Sequence, residues 1–150
     1  MSHTHFAVYQ HIVFSTKNRQ PHLSPAFEKE LHPYLAAAIN NQGCRALMVG
    51  GHRDHIHALV SMGKAILTSD LVKEIKRTSS VWAKGKTPDL REFAWQEGYG
   101  AFSVSYSNLE QVREYIVHQA THHGQMSWED EYRALLDRHG VAYDKRFFLG

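Results

Sequence analysis

The sequence predicts an α+β fold: an antiparallel, ferredoxin-like sheet with helices on one face and, towards the C-terminus, a further helix that carries a tyrosine. Several observations point there. Short stretches of alternating apolar residues are separated by stretches in which apolar residues recur at the helical period. The order reads strand, helix, strand, strand, helix, strand, helix, with one more helix appended. At 150 residues the chain can bury an ordinary core, and one domain spanning 1–150 is expected.

His5 to Ser15 is rich in aromatic and β-branched residues, with Phe6, Val8, Ile12 and Phe14 on one side, and reads as the first strand. Thr16 to Pro21 interrupts it with polar loop chemistry. Ser24-Pro25 supplies an N-cap followed by proline in the first turn, and Phe27, Leu31, Leu35 and Ala38 follow at helical spacing up to Gly43. Arg45–Val49 and His55–Met62 read as a hairpin joined by a turn containing Gly50, Gly51 and Asp54. Ser69 caps a second helix to about Lys84, with Leu71 or Val72, Ile75 and Trp82 as its apolar stripe and a basic opposite face. Gly85 to Gly100 is an irregular connector and Ala101 to Tyr106 a fourth strand. Ser107 and Glu110 fit a capping box that opens a third helix carrying Val112, Tyr115, Ile116 and Gln119. Ser127 opens a last short helix with Tyr132, Leu135 and Leu136, ended by Gly140.

Composition narrows the chemistry. Lys and Arg number 17 against 15 Asp and Glu, a formal net charge of +2, so bulk charge alone does not mark a nucleic-acid binder. The lone Cys44 excludes a disulfide framework within the chain and a zinc site of paired cysteines, which leaves His, carboxylate or amide to hold any metal. No apolar run is long enough to cross a bilayer, and Met1-Ser2-His3-Thr4-His5 has no secretory pattern, so a soluble cytoplasmic protein is expected.

His55 and His57 flank Ile56 in the third strand, so alternation sends both imidazoles to one face and Ile56 into the core. Two imidazoles are half of a divalent-metal site. Gln119 is the candidate third ligand, and Tyr115, one helical turn earlier, shares its face. Tyrosine suits an enzyme that conserves a broken phosphodiester as a covalent intermediate, although a phenol with an ordinary pKa near ~10 needs a metal, a base or hydrogen bonds to react. His118, His122 and His123 lie close by without an assigned role. Lys73, Lys76, Arg77, Ser80 and Lys84 recur at helical intervals on the second helix, and Lys17 and Arg19 follow the first strand, giving a candidate path for a phosphate backbone. Trp95, Tyr99 and Tyr106 are candidates to stack on unpaired bases. Taken singly, each feature has a plainer explanation: a surface histidine pair, a core-edge tyrosine, a solvated basic face.

Asp54-His55-Ile56-His57, then the run from Trp95 to Ser105, then Tyr115-Ile116-Val117-His118-Gln119 followed by His122-His123, together resemble the single-tyrosine HUH transposases of the small insertion-sequence and REP-associated type. The likeness runs from His11-Ile12-Val13-Phe14-Ser15-Thr16-Lys17 to Tyr143-Asp144-Lys145-Arg146-Phe147. The resemblance implies an HUH-endonuclease fold in which His55 and His57 are ligands and Gln119 completes a Mg²⁺ or Mn²⁺ site. It further implies that Tyr115 attacks single-stranded DNA, leaving a 5′-phosphotyrosine and a free 3′-hydroxyl. The implied partners are single-stranded or hairpin DNA and a second copy of the chain, with Tyr115 able to serve the partner's metal site in trans, and no membrane. The expected function is DNA transposition by metal-dependent strand cleavage and transfer. The alternative is a non-catalytic or domesticated hairpin-DNA-binding protein of the same fold. A histidine-triad nucleotide hydrolase ranks below both, because Leu59 stands where a third alternating histidine belongs.

Overall fold

Four strands form one antiparallel sheet in the order β2-β3-β1-β4: β1 (Tyr9–Ser15), β2 (Arg45–His52), β3 (His55–Ser61) and β4 (Gly100–Val104). The computed structural model describes residues 3–122 and 126–150, so His123 lies outside the described residues. Helices α1 (Pro25–Asn41) and α2 (Thr68–Lys84) lie on one face, and α3 (Leu109–Val117), α4 (Gln119–His122) and α5 (Trp128–Arg138) follow β4. This is the α+β arrangement expected from the sequence.

Alternation divides β1 and β3 between two cores. Ile12, Phe14, Ile56, Ala58 and Val60 pack against Phe27, Leu31, Leu35 and Ile39 of α1 and Leu71, Val72 and Ile75 of α2. The register pairs Val13 with His57 and Ser15 with His55, so Val13 shares the opposite face with the two histidines. There Val13 and Phe102 meet Trp128, Tyr132, Leu135 and Leu136 of α5. A sheet covered on both faces explains why Ile12, Val13 and Phe14 are consecutively buried rather than alternating.

Two glycines let helices reach that second face. A Cβ on Gly50 of β2 would stand 2.7 Å from Ile116 Cγ2 and 3.0 Å from the Ile116 carbonyl oxygen, so α3 rests directly on the bare backbone. A Cβ on Gly100 of β4 would meet Tyr132 Cε1 at 2.8 Å, which gives α5 the same close seat.

Local structure departs from expectation at several element ends. β1 starts at Tyr9 instead of His5, and Phe6 and Val8 are exposed, because pairing with β3 and β4 begins at Tyr9. β2 continues through Gly50 and Gly51 to His52, so the hairpin turn is only Arg53-Asp54, with Arg53 in the left-handed region at φ 57°. Ser69 does not cap α2: the helix begins at Thr68, whose hydroxyl donates instead to Gln10 Oε1 at 2.9 Å. The capping box at Ser107 does not form, since Tyr106–Asn108 is a single 3₁₀ turn in which Ser107 hydrogen-bonds Ser105. β4 is Gly100–Val104, shorter at its end than expected, because that turn takes over directly. The caps at Ser24 and Ser127 do form, accepting from Phe27 N and Asp130 N at 3.2 Å each.

Candidate metal and tyrosine centre

β3 delivers His55 and His57 side by side, both fully buried. Asp54 at the turn and His11 on β1 orient them from behind: Asp54 Oδ1 lies 2.8 Å from His55 Nδ1, and His11 Nε2 lies 2.7 Å from His57 Nδ1. Burial and the neighbouring His57 hold the His11 pKa well below the ordinary imidazole range, so His11 is neutral and can accept the His57 Nδ1–H bond. With both Nδ1 atoms used this way, the two Nε2 lone pairs face the same small volume.

The helices after β4 supply the rest. Tyr115 and Gln119 were expected one turn apart on a continuous helix. α3 instead ends at Val117, His118 breaks the helix with φ −94° and ψ 22°, and Gln119 starts α4. The two side chains nevertheless converge. Gln119 Nε2 donates to Glu131 Oε2 at 3.1 Å and to the Tyr115 carbonyl at 3.5 Å, which turns Gln119 Oε1 towards His55 Nε2 at 2.9 Å. The Tyr115 hydroxyl donates to Glu131 Oε2, and the Tyr115 ring stands 5.6 Å from the His57 ring. Burial first, then the Glu131 carboxylate, push the Tyr115 pKa upward, opposed by the bond to Gln119 and by the Arg138 charge.

Glu131 is the member that sequence reasoning missed. It is buried, and its Oε1 lies 3.0 Å from His57 Nε2 and 3.4 Å from His55 Nε2. In the sequence it reads as one of three acids, Glu129, Asp130 and Glu131, that suit the positive end of a helix dipole, and nothing local sets it apart. Trp128, one turn earlier, lies parallel to the His55 ring at 4.4 Å and closes the site from α5.

The donor set fits a divalent cation. His55 Nε2, His57 Nε2 and a Glu131 oxygen lie within 4.8 Å of one another, and Gln119 Oε1 adjoins them. Nitrogen and carboxylate lone pairs crowded in a buried space repel one another unless a cation or a proton stands between them, and the mixture of imidazole nitrogen with carboxylate and amide oxygen is a donor set for a divalent cation.

The basic residues separate into different environments. Lys73, Lys76 and Arg77 line one groove with Ser80, Trp95 and Tyr99, on the α2 side of the sheet and away from the histidines. Lys73 and Lys84 are exposed, and Lys17 and Arg19 sit in a 3₁₀ turn after β1. Lys76 is occupied internally, donating to the carbonyls of Gln96 and Gly98 at 2.8 and 2.6 Å, and burial lowers its pKa to about 8. Arg77 pairs with Glu74 on the same helix. Of the candidate stacking residues, Trp95 is buried with its indole N–H on Ser79 Oγ, whereas Tyr106 is 77% exposed. No helix among the described residues is long and apolar enough to cross a membrane.

A four-stranded antiparallel sheet presenting paired histidines to a tyrosine and a glutamine from a following helical segment defines the class of protein in which the resemblance placed this chain. Residues 4–119 match the family Transposase IS200 like, and the chain belongs to that family. Its fold is similar to a crystal structure of a candidate transposase from Deinococcus radiodurans R1, with TM-score 0.61, 21% identity, and 79% of this chain and 98% of that one covered. It is also similar to a REP-associated tyrosine transposase bound to a REP hairpin, with TM-score 0.61, 13% identity, and 97% and 93% coverage. No curated protein matches significantly. Glu131 and α5 lie beyond the family match.

Proposed function

We propose that this DNA transposase cuts and rejoins single-stranded DNA through Tyr115, using a Mg²⁺ or Mn²⁺ ion held by His55, His57 and Gln119, with Glu131 as a further oxygen donor. One observation carries the reading. A tyrosine hydroxyl, an amide oxygen and two imidazoles, separated by up to 64 residues in sequence, converge in one cluster around a buried carboxylate. A bound divalent ion would supply Lewis-acid polarisation of the scissile phosphodiester.

The chain's own residues account for the rest. Tyr115 Oη forms a bond to phosphorus as the bond from phosphorus to the 3′-oxygen breaks, which leaves a 5′-phosphotyrosine and a 3′-hydroxyl. The phenol keeps the phosphodiester's energy, so a 3′-hydroxyl of another strand can reverse the step and join. Glu131 Oε2 receives the phenol hydrogen bond and aims the oxygen, while Trp128 limits water access over His55. Because Tyr115 meets the histidines of its own chain, we read its action as in cis, each subunit of a dimer carrying a complete centre. Hairpin or single-stranded DNA is the substrate class, a reading supported by the neighbour solved with a REP hairpin. Lys17, Arg19, Lys73 and Lys84 are its proposed backbone contacts; Arg77 and Lys76, already partnered, contribute charge to the same groove.

Tyr115→Phe separates this reading from a non-catalytic hairpin binder. A pool of randomised single-stranded hairpin oligonucleotides incubated with Mn²⁺ should give a covalent adduct of intact protein, mapped to Tyr115 by peptide mass and absent from Tyr115→Phe. Binding without any adduct in the wild type would favour the non-catalytic alternative.

A further inference from the structure

A polar recess on the other side of Tyr115 borders the cluster just described and shares Tyr115 and His11 with it. This cavity of about 310 Å³ opens between β4, the start of α3 and the end of α5, and Tyr115 forms part of its lining together with Ser103, Asn108, Gln111 and Arg138. Its size is at the lower end of small-molecule sites. Asn108 is the N-cap residue of α3, yet its side chain makes no capping bond. Among the described residues, the side chains of Ser103, Gln111 and Arg138, exposed like Asn108, likewise have no hydrogen-bond or ion-pair partner. Every one of these groups can donate: a hydroxyl, two amides and a guanidinium. No carboxylate lines the recess, and Leu135 gives it an apolar wall.

A cation with neutral donors, no competing acid and an apolar side is an environment for an anion attached to something less polar. The guanidinium fork matches a phosphate's paired oxygens, and such charge-assisted bonds are the strong ones. Its position also fits, because the recess shares Tyr115 with the reacting centre. In-line attack requires the strand on both sides of the scissile phosphorus to be fixed, and an error of about 1 Å is enough to slow it severely.

Resting on the function proposed above, we propose that this recess binds the nucleotide flanking the scissile phosphodiester, with Arg138 gripping its phosphate as a positioning residue for Tyr115. Arg138 lies on α5, beyond the stretch that matches the family. Leu135, Arg138 and His139 complete a lining whose other members come from β1, β4 and the start of α3.

The first test does not depend on cleavage. Thymidine 3′,5′-bisphosphate is titrated into the ¹⁵N-labelled protein. We expect saturable shifts of the Ser103, Asn108 and Gln111 amides, at least ten-fold weaker binding to Arg138→Ala, and an intermediate affinity for Arg138→Lys. No shift at these residues, equal affinity in Arg138→Ala, or the same shifts produced by sodium sulfate would overturn the site. The second test is the rate of Tyr115 adduct formation on the hairpin pool. It should fall at least ten-fold in Arg138→Ala at unchanged melting temperature, and a full rate would overturn the positioning role while leaving Tyr115 as the nucleophile. A wild type that forms no adduct refutes the proposed function instead, and the bisphosphate titration still decides whether the recess is a nucleotide site.

Discussion

The seat of α3 on Gly50 is the most direct link between packing and the placement of Tyr115, and Gly50→Ala tests it. The added methyl would stand 2.7 Å from Ile116 Cγ2. Carbon–carbon contacts are comfortable from about 3.5 Å, so Ile116 has to withdraw by about 0.8 Å. Rotating the Ile116 side chain does not suffice, because the same methyl lies 3.0 Å from the Ile116 carbonyl oxygen, which is helix backbone. α3 must therefore move, and Tyr115 is the neighbouring residue. A displacement near 1 Å at a reacting group costs about 10²-fold in rate, and overpacking of this kind costs about 1–3 kcal/mol. For a chain of this size that is a fall in melting temperature of roughly 2–12 °C. Thermal denaturation followed by circular dichroism reads the second quantity, and the yield of Tyr115–DNA adduct against time on a denaturing gel reads the first. A Gly50→Ala protein that melts with the wild type and forms adduct at full rate would refute the view that the bare backbone at Gly50 sets the position of the nucleophile.

Two further outcomes follow from the same geometry. Metal should stabilise the fold independently of any DNA chemistry: Mn²⁺ at about 100 times its dissociation constant adds about 2.7 kcal/mol, raising the wild-type melting temperature by roughly 5–11 °C, and EDTA should reverse the gain. His57→Ala should abolish that gain, and an unchanged metal-induced shift in this variant would place the ion elsewhere. On α1, His32 is half-buried, its inaccessible Nε2 has no partner among the described residues, and desolvation lowers its pKa from 6.5 to about 4. Below pH 6.5 the unfolded chain takes up a proton that the folded one refuses. Stability from this group is thus present above pH 6.5 and lost between about 6.5 and 4, by up to about 3 kcal/mol. Urea denaturation from pH 7 to 4 should show His32→Leu with a shallower decline, and parallel profiles would rule out His32 as a source of acid lability.

The alternating pattern of His55-Ile56-His57 determined, without any coordinates, that two imidazoles share one face, because side-chain direction along a strand follows local backbone geometry. The helix starts at Ser24-Pro25 and Ser127 were legible for the same reason: a cap is a bond between residues three apart. The ordered set of Tyr115, Gln119 and the histidines likewise marked the family from sequence. Where local signals competed with neighbours, they lost. Ser107 and Ser69 had the chemistry of caps, but a 3₁₀ turn took the first and the bond from Thr68 to Gln10 went with an earlier start for α2. Trp95, a candidate to stack on unpaired bases from an irregular connector, was drawn under α2 because Phe14 and Phe93 offered their rings at 4.9 and 4.8 Å. Only the tertiary structure decided the composition of the centre. Glu131 reaches the histidines across 74 residues from a helix whose acidic start looks like ordinary dipole complementation, and His11 supports His57 across 46 from the neighbouring strand. Such convergence leaves no periodic trace in the chain. It comes from how closely α3 and α5 pack on Gly50 and Gly100, and that closeness is a property of packed surfaces, which no local window of sequence contains.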